Sequence, residues 1–201
     1  MQKKISNYPD IGRKEFLAKL EPILSPHDLE MVETAHVLSK YGHRNQVRDD
    51  SRVRYFEHPK AVAWILINEL KMNDWQTIVM ALLHDVLEDS HILSPYRIER
   101  NFGKEVVVDL KLLTKHPKHG YLGRLKQYGD TRAVLVKLCD RLHNMRTLAG
   151  CSKEKQKRQI AETKKYFLPL AQTFIERLPR KERSIGEYIK RELEQLCALY
   201  A

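Results

Sequence analysis

The stretch ALLHDVLEDS, residues 81–90, brings one histidine and three carboxylates together within six positions: His84, Asp85, Glu88 and Asp89. No lysine or arginine occurs between residues 72 and 96, although the whole chain has a formal net charge of +10. Clustered carboxylates need a compensating positive charge, and the neighbouring sequence supplies none. We therefore expect a metal ion to balance them.

The same stretch predicts the end of an amphipathic helix that follows Asp74 as N-cap and runs to Ser90. Apolar residues recur with helical spacing at Val79, Leu82, Leu83 and Val86. His84 and Glu88 are four residues apart, as are Asp85 and Asp89, so one turn would present a metal-type pair and the next a carboxylate pair. The alternative is a polar helix face that happens to be acidic, and a lone His–Asp dipeptide would favour it.

A second candidate segment is CDRLHNMRTL, residues 139–148. Its polar residues follow helical spacing at Asp140, His143, Asn144 and Thr147. An aspartate in the apolar neighbourhood VLVKLCDRL costs free energy to bury without a partner. Asp140 should therefore form an ion pair with Arg132 or Arg141, or bind a metal.

His58 is the third candidate, at the junction between a loop and the helix that opens with Pro59. Its alternative role is to cap that helix. Together, the candidates give two imidazoles and two carboxylates: His58, His84, Asp85 and Asp140. Such a mixed nitrogen and oxygen set suits a transition metal and leaves coordination positions open for water or phosphate.

The composition sets broad limits on the function. The chain has 201 residues, 42% hydrophobic and 31% charged, which suits one folded domain. No apolar run approaches the ~20 residues of a membrane span, and the first residues lack a signal-peptide pattern. Three cysteines without metal-type spacing indicate free thiols in the cytoplasm. The basic balance is compatible with nucleic acid, an anionic membrane, a small polyanionic substrate, or solubility alone.

The residue pattern predicts an all-α fold in a single domain, residues 1–201, with helical extensions at both ends. The core covers about residues 35–171 and the C-terminal extension 172–201. Two segments are predicted as loops, 45–57 and 116–123. The last helix is predicted to begin at Ser184, with Glu187 completing a capping box.

Several motifs together resemble the hydrolase domain of the RelA/SpoT family over about residues 35–171. They are YFEHP (55–59), ALLHDVLEDS (81–90), FGKEVV (102–107), LTK (113–115) and KLCDRLHNMRTL (137–148). The long family members carry synthetase and regulatory domains that do not fit in 201 residues. The chain is therefore similar to the small, stand-alone alarmone hydrolases, the metazoan SpoT-like proteins among them.

This resemblance implies an HD-domain helical bundle that removes pyrophosphate from the 3′ position of guanosine tetra- or pentaphosphate, the alarmones of the stringent response. It implies one manganese ion on His58, His84, Asp85 and Asp140. It further implies that Glu88 and Asp89 orient and activate the attacking water. Three positions match substrate contacts of the family, Arg48 on the purine and Asn144 and Thr147 near the sugar and phosphates.

A dense polyanion also needs a positive rim. The candidate cations are Arg48, Arg52, Arg54, Lys155, Lys157 and Arg158. For each of them separately, a solvated surface charge is the alternative.

The sequence RDDSRVRYFEHP, residues 48–59, departs from the family pattern. Asp49 stands where the family has a lysine, and the usual Gly/Pro turn is missing. Asp49 and Asp50 would repel an arriving phosphate, so we expect weak hydrolysis of guanosine tetraphosphate. Alternative substrates are an adenosine alarmone or the 2′-phosphate of NADPH. A non-catalytic, basic helical binding protein is the alternative from another class; the complete ligand set argues against it, and no nucleic-acid-binding motif supports it.

Overall fold

The computed structural model describes residues 11–48, 53–90, 92–115 and 120–200. These residues form twelve α-helices and no strand, which confirms the predicted all-α bundle. The helices are α1 Arg13–Ala18, α2 Pro26–Gly42, α3 Glu57–Trp64, α4 Trp75–Leu83, α5 Val86–Asp89, α6 Pro95–Phe102, α7 Lys104–Leu113, α8 Tyr121–Tyr128, α9 Thr131–Arg146, α10 Lys153–Glu162, α11 Leu168–Arg177 and α12 Arg183–Leu199. Single π-helical turns follow α3 at Ile65–Glu69 and α10 at Thr163–Phe167.

Several helices begin at side-chain caps, and the cap at Asp74 was predicted. The Ser25 hydroxyl accepts a hydrogen bond from the backbone N–H of Asp28, and Pro26 occupies the first helical position. The Asp74 carboxylate accepts one from the backbone N–H of Thr77. These side chains satisfy donors that every helix start leaves without an intrahelical partner.

Helix α9 lies at the centre of the bundle and contacts α3, α4, α7, α8, α11 and α12. The two helices α9 and α4 contribute completely buried leucines to the core, namely Leu138, Leu142, Leu82 and Leu83. A helix that is packed on most sides can place a polar side chain only where the packing leaves a cavity. The packing of α3, α4 and α9 therefore fixes where the functional side chains meet.

The prediction of one helix from Asp74 to Ser90 was wrong. Helix α4 ends at Leu83, and α5 begins at Val86. The Nδ1 atom of His84 donates to the carbonyl of Ala81 at 2.8 Å, the acceptor that a continuous helix would give to the N–H of residue 85. A side chain that takes a ladder acceptor bends or ends a helix.

Two further predictions need correction. Residues 121–128 form a helix, α8, where the prediction had a loop to residue 123 and no element beyond it. The last helix begins at Arg183, and no side chain caps it, so the capping box from Ser184 is wrong. A single helical turn, Arg180–Glu182, leads directly into this helix and makes a separate cap unnecessary.

The predicted loop 45–57 folds back on itself. The backbone N–H of Arg48 donates to the carbonyl of Val53, and that of Tyr55 donates to the carbonyl of Gln46, both at 2.9 Å. Asp49, Asp50 and Arg52, on which the expectation of phosphate repulsion and part of the positive rim depended, lie outside the described residues. The closed stem holds the flanking residues, Arg48 and Tyr55, next to each other.

Candidate metal centre and active site

Four buried side chains from different parts of the bundle converge on one point. His58 lies in α3, His84 and Asp85 link α4 to α5, and Asp140 lies in α9. The Nε2 atom of His58 is 3.1 Å from Asp140 Oδ1 and 3.6 Å from Asp85 Oδ2. The Nε2 atom of His84 is 3.1 Å from Asp85 Oδ2 and 3.7 Å from Asp140 Oδ1. Ligand atoms that bind one metal ion at about 2.1 Å lie at distances from one another similar to these. The side chains are therefore spaced as metal ligands would be.

The orientation of His84 fits a metal ligand. Because its Nδ1–H is used by the Ala81 carbonyl, its Nε2 carries the lone pair. That buried atom has no hydrogen-bond partner among the described residues, although Asp85 Oδ2 lies nearby. A buried polar atom without a hydrogen bond costs free energy unless something else binds it, and a divalent ion would do so.

His58 is oriented by a second histidine. Its Nδ1 atom lies 2.8 Å from Nδ1 of His143, so one ring donates and the other accepts. When His58 is the donor, its Nε2 presents a lone pair to the carboxylates. The alternative role for His58, capping the helix, does not apply, because α3 begins one residue earlier at Glu57 and has Phe56 as N-cap.

Asp140 is held by partners on its own helix. The Nζ atom of Lys137 lies 3.0 Å from Oδ2, and the side-chain amide of Asn144 donates to Oδ1 at 2.5 Å. The arginines considered as surface partners are engaged elsewhere, Arg141 with Glu162 and Arg132 with Asp130. The second oxygen of Asp140 is thus neutralised by Lys137, while Oδ1 faces the two imidazoles.

The electrostatics favour ionised carboxylates at the site and a neutral imidazole ring at His58. Burial, followed by the charge of Arg48, lowers the pKa of His58 to about 4, which keeps this ring neutral. Burial opposes the imidazolium of His84 as well, but the Asp85 carboxylate outweighs burial and raises the pKa of His84. Burial would raise the pKa values of Asp85 and Asp140, yet His84 and Lys137 respectively hold them below their usual range.

The predicted water-activating pair lies on the adjacent turn. The hydroxyl of Tyr55 lies 2.8 Å from Asp89 Oδ2. Glu88 Oε2 accepts a hydrogen bond from the backbone N–H of Lys115 at 3.1 Å, and the Lys115 ammonium lies 3.6 Å from Oε1. Burial, and then the negative charges of Asp85 and Glu88, raise the pKa of Asp89 despite the bond from Tyr55. Each carboxylate therefore has a fixed partner and a distinct environment.

Three of the four candidate ligands, His58, Asp85 and Asp140, open onto a cavity of about 1130 Å³. Among its described lining residues are eight cations, namely Arg48, Lys115, Lys126, Lys137, Arg141, Lys155, Arg158 and Lys165. The lining also includes aromatic rings that offer flat faces to a base, namely Tyr55, Tyr121, Tyr166 and Phe167. The described lining includes one further carboxylate, Glu162, so the cavity suits a ligand with several negative charges.

Only some of the predicted substrate contacts line the cavity. Arg48 and Asn144 line the cavity and bond to each other, since an Arg48 guanidinium N–H donates to Asn144 Oδ1 at 2.8 Å. Lys155 and Arg158 also line it. Lys157, between them in sequence, is exposed and lies outside the lining.

Thr147 and Arg54 also lie outside the cavity lining. Thr147 is buried, and its hydroxyl donates to the backbone carbonyl of Asn144 at 3.2 Å. The guanidinium of Arg54 lies 2.9 Å from Glu57 Oε1. Thr147 thus contacts its own helix, and Arg54 pairs at the surface.

The residue pattern had assigned no role to three side chains of the site, Tyr55, Lys137 and His143. Lys137 was recoverable, because a lysine three residues before an aspartate on a helix lies on the same face. His143 shares the helical face of Asp140, but its contact with His58, 85 residues away, gave no local signal. The contact of Tyr55 with Asp85, 30 residues away, gave none either.

The described residues thus form an all-α bundle with the buried pair His84 and Asp85 at its centre. The HD-domain family matches residues 35–116 and 124–174 of the chain. The chain belongs to the HD-domain family.

Curated relatives are similar over most of this chain. SpoT of Escherichia coli K12, a bifunctional (p)ppGpp synthase/hydrolase, is 33% identical over 196 residues, which cover 90% of this chain and 26% of SpoT. A probable guanosine-3′,5′-bis(diphosphate) 3′-pyrophosphohydrolase of Synechocystis is 39% identical over 143 residues, 65% of this chain and 18% of the relative. The chain thus spans about a fifth to a quarter of the length of these relatives.

A solved structure has the same fold. It is the metazoan orthologue of SpoT, described as hydrolysing ppGpp with a role in starvation responses, and it superimposes with a TM-score of 0.64 at 24% identity. The match covers 88% of this chain and 96% of the other. Together with the curated relatives, it confirms the resemblance to the RelA/SpoT hydrolases. Among the described residues, no helix combines the length and apolar character required to cross a membrane.

Proposed function

We propose that this chain is a metal-dependent phosphohydrolase that removes pyrophosphate from the 3′ position of guanosine tetra- or pentaphosphate. The observation that carries the proposal is the cluster of buried metal-type ligands His58, His84 and Asp140, with Asp85 beside it, at a cavity lined by eight cations. Similarity to relatives described as (p)ppGpp hydrolases supports the choice of substrate.

The proposed cofactor is one manganese ion on His58, His84, Asp85 and Asp140. The free Nε2 atom of His84 and the mixed donor set support a divalent transition metal. When bound, such an ion lowers the pKa of coordinated water and stabilises negative charge on a phosphoryl oxygen.

In this proposal, Glu88 and Asp89 hold the attacking water and accept its proton. The water oxygen forms a bond to the phosphorus attached at the 3′ position, and the bond from that phosphorus to the ribose 3′ oxygen breaks. The 3′ oxygen takes up a proton, and pyrophosphate leaves. Arg48 and Asn144 bind the nucleotide beside the centre, because their joined side chains line the cavity next to Asp140.

Two organisational features belong to the same proposal. The core of about residues 35–171 carries the chemistry, and the C-terminal extension 172–201 supports it through packing of α12 on α9 and α11. The described cysteines are all free thiols, which is compatible with a cytoplasmic protein.

The test combines metal content with product analysis. Protein purified without chelator and supplied with manganese should contain about one equivalent of metal, and Asp85→Ala should lose most of it. The same preparations are incubated with guanosine tetraphosphate, an adenosine alarmone and NADPH, and the products are separated by chromatography. Negligible metal in the natural protein would contradict the cofactor, whereas metal binding without release of pyrophosphate would contradict the substrate.

A further inference from the structure

The hydroxyl of Tyr55 lies between two functional carboxylates. It is 2.9 Å from Asp85 Oδ2 and 2.8 Å from Asp89 Oδ2. The Asp85 oxygen that it contacts is the one that lies 3.1 Å from His84 Nε2. One phenol thus contacts both the proposed metal-binding oxygen and the proposed water-activating carboxylate.

Tyr55 is itself fixed from two sides. Its ring stacks on the ring of His43 with the centroids 4.7 Å apart. Its backbone N–H bonds to the carbonyl of Gln46 across the closed stem of the 45–57 loop. The Gln46 side chain in turn donates to the backbone carbonyl of Asp89 at 2.5 Å and contacts His43 Nδ1 at 2.6 Å. The hydroxyl therefore has little freedom to leave the carboxylates.

We propose that Tyr55 is a positioning residue for the metal centre, which fixes Asp85 as a ligand and holds Asp89 beside it. A hydrogen bond to a ligating carboxylate fixes its rotation and tunes its strength as a ligand. The phenol also separates two like charges that lie one turn apart. This inference rests on the proposed metal centre.

The consequence is that the 45–57 loop acts on the metal as well as on the nucleotide. It reaches Asp85 through Tyr55, and it reaches Asp140 through Arg48 and Asn144. Substitutions in this loop should therefore change the affinity for manganese even when no nucleotide is present.

The experiment measures manganese affinity of nucleotide-free protein through the paramagnetic resonance signal of free Mn²⁺. Tyr55→Phe removes one oxygen and keeps the ring that stacks on His43. We expect its affinity to fall about 10- to 100-fold, the usual effect of losing a hydrogen bond to a metal ligand. Tyr96→Phe is the matched control, since Tyr96 is 70% exposed, and its affinity should equal that of the natural protein.

Two further measurements separate positioning from other effects. Metal-free Tyr55→Phe should keep the helical content of Tyr96→Phe, measured by circular dichroism. Asp89→Asn should keep its manganese affinity, because the bond from Tyr55 to Asp85 remains. If Tyr55→Phe binds manganese as tightly as the natural protein while Asp85→Ala loses the ion, the inference about Tyr55 is overturned and the proposed metal centre is not. If Asp85→Ala also binds manganese as tightly as the natural protein, both the inference and the proposed metal centre are overturned. None of these outcomes depends on which nucleotide is hydrolysed.

Discussion

At the scale of single residues, candidate ligands have partners that orient them. The carbonyl of Ala81 sets the tautomer of His84, His143 orients His58, and Lys137 occupies the outer oxygen of Asp140. Such partners reduce the rotational freedom that the ligands would otherwise lose when an ion binds. The site is therefore organised before any ligand arrives.

The carboxylates Glu88 and Asp89 should matter for turnover and not for metal binding. Glu88→Gln and Asp89→Asn each keep the side-chain shape and remove the proton-accepting charge. We expect turnover to fall about 10²- to 10⁴-fold, as is typical for loss of a general base. Single-turnover rates and metal content of the same samples test this, and a variant that stays near the natural rate at saturating substrate would remove that residue from the mechanism.

His36 makes stability depend on pH. It is buried between Phe16 and Phe56, and neither ring nitrogen has a hydrogen-bond partner among the described residues. Burial, and then the charge of Lys60, lowers the pKa of His36 from 6.5 to about 4. Between these values the unfolded chain binds a proton that the folded chain does not. The contribution of neutral His36 to the free energy of unfolding is fully present above pH 6.5. It is lost as pH falls to 4, and the loss amounts to about 3 kcal/mol.

His36→Phe should remove this dependence, because phenylalanine cannot take up a proton and suits the aromatic surroundings. The difference in unfolding free energy between variant and natural protein should grow by about 2–3 kcal/mol from pH 7 to pH 4.5, measured by urea unfolding. His27→Phe, at a side chain that is 70% exposed, is the control and should show no such growth. Parallel curves for His36→Phe and the natural protein would mean that His36 does not carry the effect.

The sequence pointed to the candidate ligands but not to most of the residues that orient them. His84, Asp85 and Asp140 are marked by charges that the local sequence leaves unbalanced or places in apolar surroundings, which is a local signal. The hydroxyl of Tyr55 and the ring of His143 gain their roles only through tertiary contacts. A single sequence carries no record of such contacts.

At the scale of helices, most helices were predictable, while one helix and several boundaries were not. The apolar spacing of α4 and the polar spacing of α9 identified both helices. The end of α4 at Leu83 depends on one side-chain bond of His84, which competes with the backbone and leaves no mark in the apolar pattern. Helix α8 was missed because Gly123 lies within it and its apolar face is short.

The crossing of α11 and α12 depends on one glycine. A Cβ atom on Gly186 would lie 2.6 Å from Cγ1 of Ile175 and 3.1 Å from a ring carbon of Phe174. Gly186→Ala should therefore destabilise the protein by about 1–2 kcal/mol, since overpacking of about 1–3 kcal/mol outweighs the gain of up to about 1 kcal/mol in helix propensity. Gly123→Ala is the control, because a Cβ there meets nothing within 4 Å.

Thermal unfolding of both variants checks this packing argument. Gly186→Ala should lower the melting temperature by roughly 2–8 °C, given about 2–4 °C per kcal/mol for a chain of this size. Gly123→Ala should leave it unchanged or raise it slightly. A rise for Gly186→Ala comparable to that of the control would show that the two helices can separate without cost.

At the scale of the whole molecule, the net charge of +10 is partly concentrated at one place. Eight cations line the cavity that also contains Asp85 and Asp140. Composition alone did not distinguish a polyanionic substrate from nucleic acid, a membrane or solubility. The folded arrangement favours the first, because the charge faces a concave space instead of an extended surface.

The neighbouring cations Lys157 and Arg158 allow a direct test of whether the positive charge at the cavity binds the substrate. Both are exposed on α10, but only Arg158 lines the cavity. Arg158→Glu should raise KM for guanosine tetraphosphate about tenfold, because a repelling charge then faces several phosphates across the cavity. Lys157→Glu makes the same change in net charge and should alter KM less than about twofold, since screening weakens charges beyond about 8–10 Å at physiological salt.

Steady-state kinetics at low and high salt separate the local effect of the cavity charge from the effect of net charge. The difference between the variants should shrink as salt increases, and equal KM values at low salt would show that the substrate responds to the overall charge of the protein and not to the cavity.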